Sequence, residues 1–388
     1  MDFTVSDDQR AIREAVGALC RRFGDAYWRG LEREEAYPTE FVDALTESGW
    51  LGVLIPEEYG GGGLGVTEAA IVLEEINRRG GNAASAHALI YIATILLRHG
   101  SDELRERYLR RITAGELRLQ AFGVTEPDAG SDTTKITTSA VPDGDRYVVN
   151  GQKVFISRSE YSDLMLLLAR TAPAGENGGR AGGLSLFLVE LKDAVAAGQI
   201  EIRPIRTMLN HHTTEIFIRD LEVPAENLVG VEGEGFRHLL DGLNAERILV
   251  AAEAVGEGRW FIERAAAYSN ERVIFGRPIG ANQGIQFPIA QAHASLEAAS
   301  LLQQKGAWLF DRAEACGAEA NMAKMLASQA AWAAANACLD THGGYGFAEE
   351  YDVERKFRQA RLLVTAPISN NLVLAFIGQR VLGMPRSY

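Results

Sequence analysis

The stretch Gly123-Val124-Thr125-Glu126-Pro127-Asp128-Ala129-Gly130-Ser131-Asp132 divides the chain into two kinds of sequence. Before it, apolar residues recur at helical spacing; after it, up to about residue 229, they alternate at a period of two. Small residues and short hydroxyls at this density let a backbone approach a flat or anionic ligand through its N–H groups and side-chain oxygens. Gly130-Ser131-Asp132 taken alone reads as a turn capping a sheet.

Upstream, Ser6 and Asp7 are candidate caps before Ile12, Val16, Leu19 and Phe23, which recur at three- and four-residue spacing. Further helices are predicted over 38–48, from Thr67 through Ile76, over 85–99 and over 101–114, the last amphipathic. Gly60-Gly61-Gly62-Gly63-Leu64-Gly65 fits the GxGxxG pattern of a dinucleotide loop. Glu57 and Glu58 just ahead of it would repel a pyrophosphate, and the short Leu51–Ile55 run cannot build a parallel βαβ unit. The run is read as a connection between helices.

Downstream, strands are predicted at 135–141, 146–150, 153–157, 164–169, 184–190, 200–205 and 215–221, with 142–145 and Asn150-Gly151 as turns. The Gly- and Pro-rich 171–183 is expected to be an exposed, mobile loop. This set predicts an antiparallel barrel or sandwich. From Gly233 the chain is Ala-rich and helical again, over 234–270, 284–315, 317–341 and 368–382, a bundle whose surplus apolar faces suit subunit contacts. The expected plan is an α+β fold of three domains: helical 1–118, a middle antiparallel β-domain at 119–229, and a C-terminal four-helix bundle at 230–388.

Charge and cysteines narrow the classes. A net charge of −13 over 388 residues argues against a phosphate-backbone reader, which needs a basic face. Cys20, Cys316 and Cys338 lie far apart without CxxC spacing, pointing to a reducing compartment and no metal site. The acidic N-terminus lacks a signal-peptide pattern, and the apolar run Ala88–Leu97 is too short to span a bilayer. A cytoplasmic protein without membrane contact is expected. His211-His212 has no carboxylate or Cys companions in sequence and is read as surface loop, while Trp260, Trp308 and Trp332 fall on helical patterns as core or interface residues.

The ten-residue stretch resembles the first signature of the acyl-CoA dehydrogenase family, flavoenzymes that desaturate acyl-CoA thioesters, and the helix–strand–helix order matches that family along the whole chain. The resemblance implies FAD as cofactor, with Phe122, Val124 and Thr125 against the isoalloxazine and Ser131 toward the flavin or the acyl-CoA phosphates. The family's Trp-Ile-Thr/Ser appears as Phe155-Ile156-Ser157, in which Phe can stack but lacks the indole donor; bare strand core is an equally good reading of Phe155 and Ile156. Glu271 to Ile279 with Asn282-Gln283 resembles the segment that supplies Arg272, Phe275 and Gln283 to FAD across a dimer interface, and an Arg suits pyrophosphate by donating in pairs. The second signature resembles Asp340-Thr341-His342-Gly343-Gly344-Tyr345-Gly346-Phe347 and implies cofactor contacts at Gly343 and Gly344, extended by Ser369 and Asn371. In the second signature and its continuation to Gln359, two positions depart from the family: Asp340 stands where Gln is usual, and Gln359 where Asp is usual.

Such a desaturation needs a base for the α-proton, donors for the enolate oxygen and an acceptor for the β-hydride, which is flavin N5. Most family members place the base in Tyr-Glu-Gly-Thr, but that position is Pro367 here, which has neither a carboxylate nor an N–H. A minority, of isovaleryl- and long-chain type, place it in a helical Glu-Arg pair, matched by Asn244-Ala245-Glu246-Arg247. The resemblance therefore assigns Glu246 as base and Asn244 and Arg247 to substrate, with Glu253 as the alternative base. A solvated charge in the first turns of a helix is the plain reading of Glu246. The resemblance also implies a homotetramer and an electron-transferring flavoprotein as acceptor, while the net charge of −13 leads to the expectation of no nucleic acid. A flavin oxidase or monooxygenase of the same fold, or a non-catalytic flavin- or acyl-CoA-binding subunit, are the competing readings.

Overall fold

A computed structural model describes residues 4–173 and 181–386 of the chain. The N-terminal elements are α1 (Asp7–Cys20), α2 (Asp25–Glu34), α3 (Thr39–Glu47), α4 (Val66–Arg78), α5 (Ala84–His99) and α6 (Asp102–Thr113). Then come β1 (Leu119–Gly123), β2 (Ser139–Asp143), β3 (Arg146–Ser157), β4 (Leu164–Arg170), β5 (Leu184–Glu190), the short α7 (Leu191–Ala196), β6 (Ile200–Pro204), β7 (Thr213–Pro224) and β8 (Leu228–Val229). The C-terminal part holds α8 (Gly235–Glu271), the small hairpin β9 (Val273–Ile274) and β10 (Arg277–Pro278), α9 (Gln283–Asp311), α10 (Gly317–His342), α11 (Val353–Thr365) and α12 (Asn370–Phe376). Two units result: Met1–Ala36 with Leu64–His87 and Asn244–Tyr388, and Tyr37–Gly63 with Ala88–Leu243.

The first unit is helical. Ser6 caps α1 through a reciprocal box with Gln9, as its sequence predicts. α10 packs Ala323, Ala327, Ala330 and Ala331 against Ala251, Ala254 and Val255 of α8 and Leu296 and Ala299 of α9. Small side chains bring these axes close. A Cβ on Gly258 would stand 2.7 Å from Leu296 Cδ1 and 3.3 Å from Ala331 Cα, and one on Gly256 2.1 Å from the Glu74 carbonyl oxygen of α4. The first residue before α4 is Gly65, which has no capping side chain; Asp311, at the end of α9, takes that role by accepting from Val66 N at 2.7 Å and Thr67 N at 3.0 Å. α2 and α11 were not expected from sequence, and the helix predicted at 368–382 is α12 closed by a π-helical turn at Ile377–Val381. Val353–Val381 is apolar and long enough to cross a membrane by composition. Its helix is nevertheless broken between Thr365 and Asn370, and α11 buries Val353, Arg355, Lys356 and Ala360.

In the second unit a sheet runs β6-β7-β3-β2-β4-β5-β8, with β1 paired to β4. Most pairs are antiparallel, but β1 runs parallel to β4, and β2 meets β4 in parallel at Ser139–Arg170. One apolar core draws Ala121, Val149, Met165, Phe187, Ile216 and Leu221 from strands along the whole sheet. The expected Asn150-Gly151 turn is absent: β3 runs through it from Arg146 to Ser157, with a register shift against β7 between Val149 and Gly151. A Cβ at Gly151 would lie 2.4 Å from Thr138 Oγ1, so the glycine serves a close approach of strands rather than a reversal. The Leu51–Ile55 run contains a 3₁₀ turn at Trp50–Gly52 instead of a strand, which removes the dinucleotide-loop reading of Gly60–Gly65. The centre of the loop expected at 171–183 lies outside the described residues.

Candidate functional site

In the β unit, β1 ends in the 123–132 stretch. Phe122 pairs in register with Leu166, and Val154 N donates to Thr125 O at 2.9 Å, so 122–125 lies beside 154–157. Phe122, Val124, Thr125 and Ser157 are half-buried; Phe155 is 65% exposed with a left-handed backbone at φ 58°. An exposed ring on a strand whose neighbour Ile156 is buried is available to a flat ligand. It is not core, as the plain reading of Phe155 would have it. Ser131 is exposed at the far side of the turn.

The turn is held from beneath by Glu126. Its Oε2 accepts from Thr137 N at 2.7 Å and Thr137 Oγ1 at 2.9 Å; its Oε1 accepts from Thr138 N at 2.9 Å, Thr138 Oγ1 at 2.5 Å and Lys153 Nζ at 2.9 Å. Lys153 also donates to Val124 O at 3.1 Å. Burial alone would raise the Glu126 carboxyl, but the Lys153 charge and these donors outweigh it and hold it at about 2. Burial pushes Lys153 down to about 8 despite its partner. Neither residue was singled out in sequence for a role, although Glu126 stands inside the decisive stretch.

In the helical unit the expected residues fall into two groups. Asn244, Glu246 and Arg247 lie on α8, and Glu246 is 7% exposed, so the reading of a solvated helix-start charge fails. Arg247 donates from Nη1 to Asn244 Oδ1 at 3.1 Å; burial lowers its pKa and the Glu246 charge raises it. Seven residues on, nearly on the same face, Glu253 is 4% exposed and its Oε1 stands 2.5 Å from Nδ1 of His87. The next turn holds Glu257, 2.5 Å from Lys356 Nζ; burial raises the carboxyl and lowers the amine. α10 supplies the buried Lys324, which donates to Val364 O at 3.3 Å, Ile368 O at 2.7 Å and Asn370 Oδ1 at 3.0 Å. It thereby ties down the bend that carries Pro367 and Ser369; Ser369 caps α12, and Asn371 beyond it is exposed. His87, Lys324 and Lys356 carried no signal in sequence, because each finds its partners at long range.

The second group sits at the other end of α8. Arg272, Phe275 and Gln283 are exposed, Phe275 fully, and Arg272 lies over the Tyr345 ring at 5.8 Å, beside Gly343 and Gly344. A Cβ at Gly343 or Gly344 would meet nothing within 4 Å, so this loop leaves backbone open to a ligand. Asp340 is exposed one turn before it. About 37 Å of unbroken helix, at 1.5 Å per residue, separates Glu246 from Glu271, the last residue of α8 before Arg272. Glu246 and Arg272 cannot address the same ligand atoms from one chain.

Of the remaining candidates, the His pair is placed differently from expectation, while Trp260 is core as expected. His211 and His212 are half-buried rather than surface loop: His212 O accepts from Arg158 N at 2.7 Å, and its ring stands edge-on to Tyr161 at 4.8 Å. Trp260 is core, Trp332 half-buried against Phe357, and Trp308 is 38% exposed.

In the helical unit the open glycine loop leaves backbone accessible to a phosphate-bearing ligand, and in the β unit the exposed Phe155 ring offers a face to a flat one; each by itself suits part of a nucleotide cofactor. Family models agree with that assignment along the chain: acyl-CoA dehydrogenase N-terminal domain over residues 6–116, middle domain over 121–221 and C-terminal domain over 233–382. The acyl-CoA dehydrogenase FadE12 of Mycobacterium tuberculosis is 38% identical over 397 residues, covering 100% of this chain and 99% of the relative. Cyclohex-1-ene-1-carbonyl-CoA dehydrogenase of Syntrophus aciditrophicus is 36% identical, covering 97% of this chain and 91% of the relative. Among solved structures, a glutaryl-coenzyme A dehydrogenase in complex with glutaryl-CoA superposes with a TM-score of 0.92 at 32% identity, covering 100% of this chain and 98% of that one. The chain belongs to the acyl-CoA dehydrogenase family and is an FAD-dependent oxidoreductase acting on acyl-CoA.

Proposed function

We propose that the protein converts an acyl-CoA to its trans-2-enoyl-CoA with Glu246 as the α-proton base. The observation that carries this reading is the burial of Glu246 on α8 beside Arg247, together with Pro367 at the family's usual base position. A carboxylate at a buried position can accept a proton from a substrate carbon held against it, with the buried Ala245 and Ile248 beside it on α8. FAD, when bound, supplies the two-electron acceptor at N5 for the Cβ hydride. Phe122, Val124, Thr125, Phe155 and Ser157 would hold its ring system, with Ser369 and Asn371 as further contacts, whereas Gly343 and Gly344, which lie beside Arg272, would serve the FAD of a second copy. Asn244 and Arg247 orient the thioester, with Ser131 toward its phosphates.

The length of α8 supports a subunit arrangement in which Arg272, Phe275 and Gln283 serve a second copy's FAD. The exposed Val273, Ile274, Phe275 and Phe287 supply apolar surface for that contact, consistent with a homotetramer. An electron-transferring flavoprotein is the proposed acceptor and the cytoplasm the proposed location. Because the bend at Ala366-Pro367 carries no carboxylate, branched or bulky acyl chains are the favoured substrates.

Anaerobic titration of the FAD-loaded protein with straight, branched and cyclic acyl-CoAs, read as loss of oxidised-flavin absorbance, tests this. Glu246→Gln should keep its FAD and slow flavin reduction by about 10²–10⁴-fold, the range of a general base. Wild-type rates in that variant, with loss in Glu253→Gln instead, would move the base to Glu253. A flavin bleached by no acyl-CoA would overturn the dehydrogenase assignment.

A further inference from the structure

The bend between α11 and α12 is fixed by one buried ammonium. Lys324 is 0% exposed, and its Nζ reaches Val364 O, Ile368 O and Asn370 Oδ1, three acceptors for three N–H groups. Asn370 is itself oriented, donating from Nδ2 to Ser328 Oγ at 3.2 Å, and Ser328 Oγ donates to Met325 O at 3.0 Å. The last turn of α11, the bend and the first turn of α12 thus hang from a single side chain of α10. Full use of the three donors requires the protonated amine; a neutral amine has two N–H groups and must release one acceptor. The longest bond, to Val364 O, is the weakest.

We propose that Lys324 is a positioning residue for the acyl-CoA site: its charged amine holds the Pro367–Ser369 bend in the shape turnover needs, and loss of its proton to solvent releases that bend. The inference rests on the bend belonging to the acyl-CoA and flavin site, as proposed above. The surroundings bring deprotonation within reach of mild alkali. Burial, and then the charge of Arg247 on α8, push Lys324 down to about 8. Arg247 is the charged side chain acting on it among the described residues; the bend and α12 face it with the Val364 and Ile368 carbonyls and the Asn370 amide, which do not titrate.

Global stability should move the opposite way. A lysine whose pKa is lower in the folded than in the unfolded chain weighs against folding below its folded value, and this burden lifts as pH rises from about 8 toward the free-lysine value. Flavin reduction should therefore fall over the same pH interval in which the lysine's burden on folding diminishes. A lysine with a purely packing role gives only the second trend.

The test uses FAD-loaded protein, a saturating acyl-CoA and anaerobic stopped-flow reduction across the neutral to alkaline range. Wild type should lose rate with a midpoint near 8. Asn370→Asp places a carboxylate next to the amine and should move that midpoint up by about one pH unit. Lys324→Arg, which stays protonated, should remove the alkaline fall altogether. Lys324→Met should be slower at every pH and flat, and its urea midpoint should gain less than wild type's above pH 8. An alkaline fall unchanged in both Asn370→Asp and Lys324→Arg overturns the proposal, even if Lys324→Met does not fold. If no acyl-CoA reduces the flavin of any of these proteins, the function reading fails, and protease cutting within 364–370 decides the rest. Cutting that accelerates above pH 8 in wild type but not in Lys324→Arg supports the tether; pH-independent cutting overturns it.

Discussion

Replacing Glu126 by Gln should be far more damaging than removing the whole Glu126–Lys153 pair. The carboxyl falls from an ordinary 4.5 to about 2 on folding. At roughly 1.4 kcal/mol per pH unit this is worth about 3 kcal/mol at neutral pH. Lys153 falls from 10.5 to about 8, which costs a similar amount wherever the amine is charged. Because the same attraction enters both shifts, the pair as a whole adds nothing net or weighs against folding, as is common for buried ion pairs. Glu126→Gln removes the compensating charge and leaves a buried cation with neutral acceptors alone, so the expected loss is about 3–5 kcal/mol. Lys153→Met should cost less, because Glu126 keeps its four bonds from Thr137 and Thr138. The double variant should recover most of the loss, giving a coupling of at least about 2 kcal/mol in a double-mutant cycle of urea unfolding. The sign with pH also follows. The Glu126 contribution is complete above 4.5 and disappears as pH falls toward 2, so the gap between wild type and Glu126→Gln should close in acid. Additive single effects, or a Glu126→Gln loss under about 1 kcal/mol, would refute the reasoning.

Two further substitutions probe how the helical unit is put together. Asp311→Ala removes the acceptor for Val66 N and Thr67 N at the start of α4 and should cost about 1–2 kcal/mol by denaturant unfolding, with Asp311→Asn losing less. Gly256→Ala would drive a Cβ to 2.1 Å from Glu74 O, a backbone atom, so α4 and α8 must part; a loss of about 1–3 kcal/mol or more is expected, and a stability equal to wild type would contradict the described α4–α8 contact.

Apolar patterning carried the long elements well, because α8, α10 and the strands bury long apolar stretches, β4 and β5 on both faces. It failed where the buried face is charged or thin. α11 hides Arg355 and Lys356 beside Val353, Phe357 and Ala360, and α2 is a ten-residue helix with Trp28 buried, so the apolar stripe of each is short and interleaved with charge. Asn150-Gly151 carried a turn signal, yet here the glycine answers a steric demand from Thr138 that no local pattern encodes. The site divided in the same way. Glu246 and the glycine loop were legible through motifs, whereas the tether at Lys324 and the His87–Glu253 pair depend on residues 40 to 46 and 166 positions apart. A side chain's partner across that distance is written only in the fold.

The helical unit is discontinuous, built from Met1–Ala36, Leu64–His87 and Asn244–Tyr388. Its earliest helices therefore have no finished core when they leave the ribosome. α4 lacks its cap until Asp311 has been made, and Glu74 lacks Arg259. The β unit, by contrast, has all its residues once Leu243 has emerged. Synthesis thus imposes an order: the sheet can mature first, while α4 waits for the contacts that α8 and α9 supply. Truncation near the C-terminus would strand the beginning of the chain, not only its end.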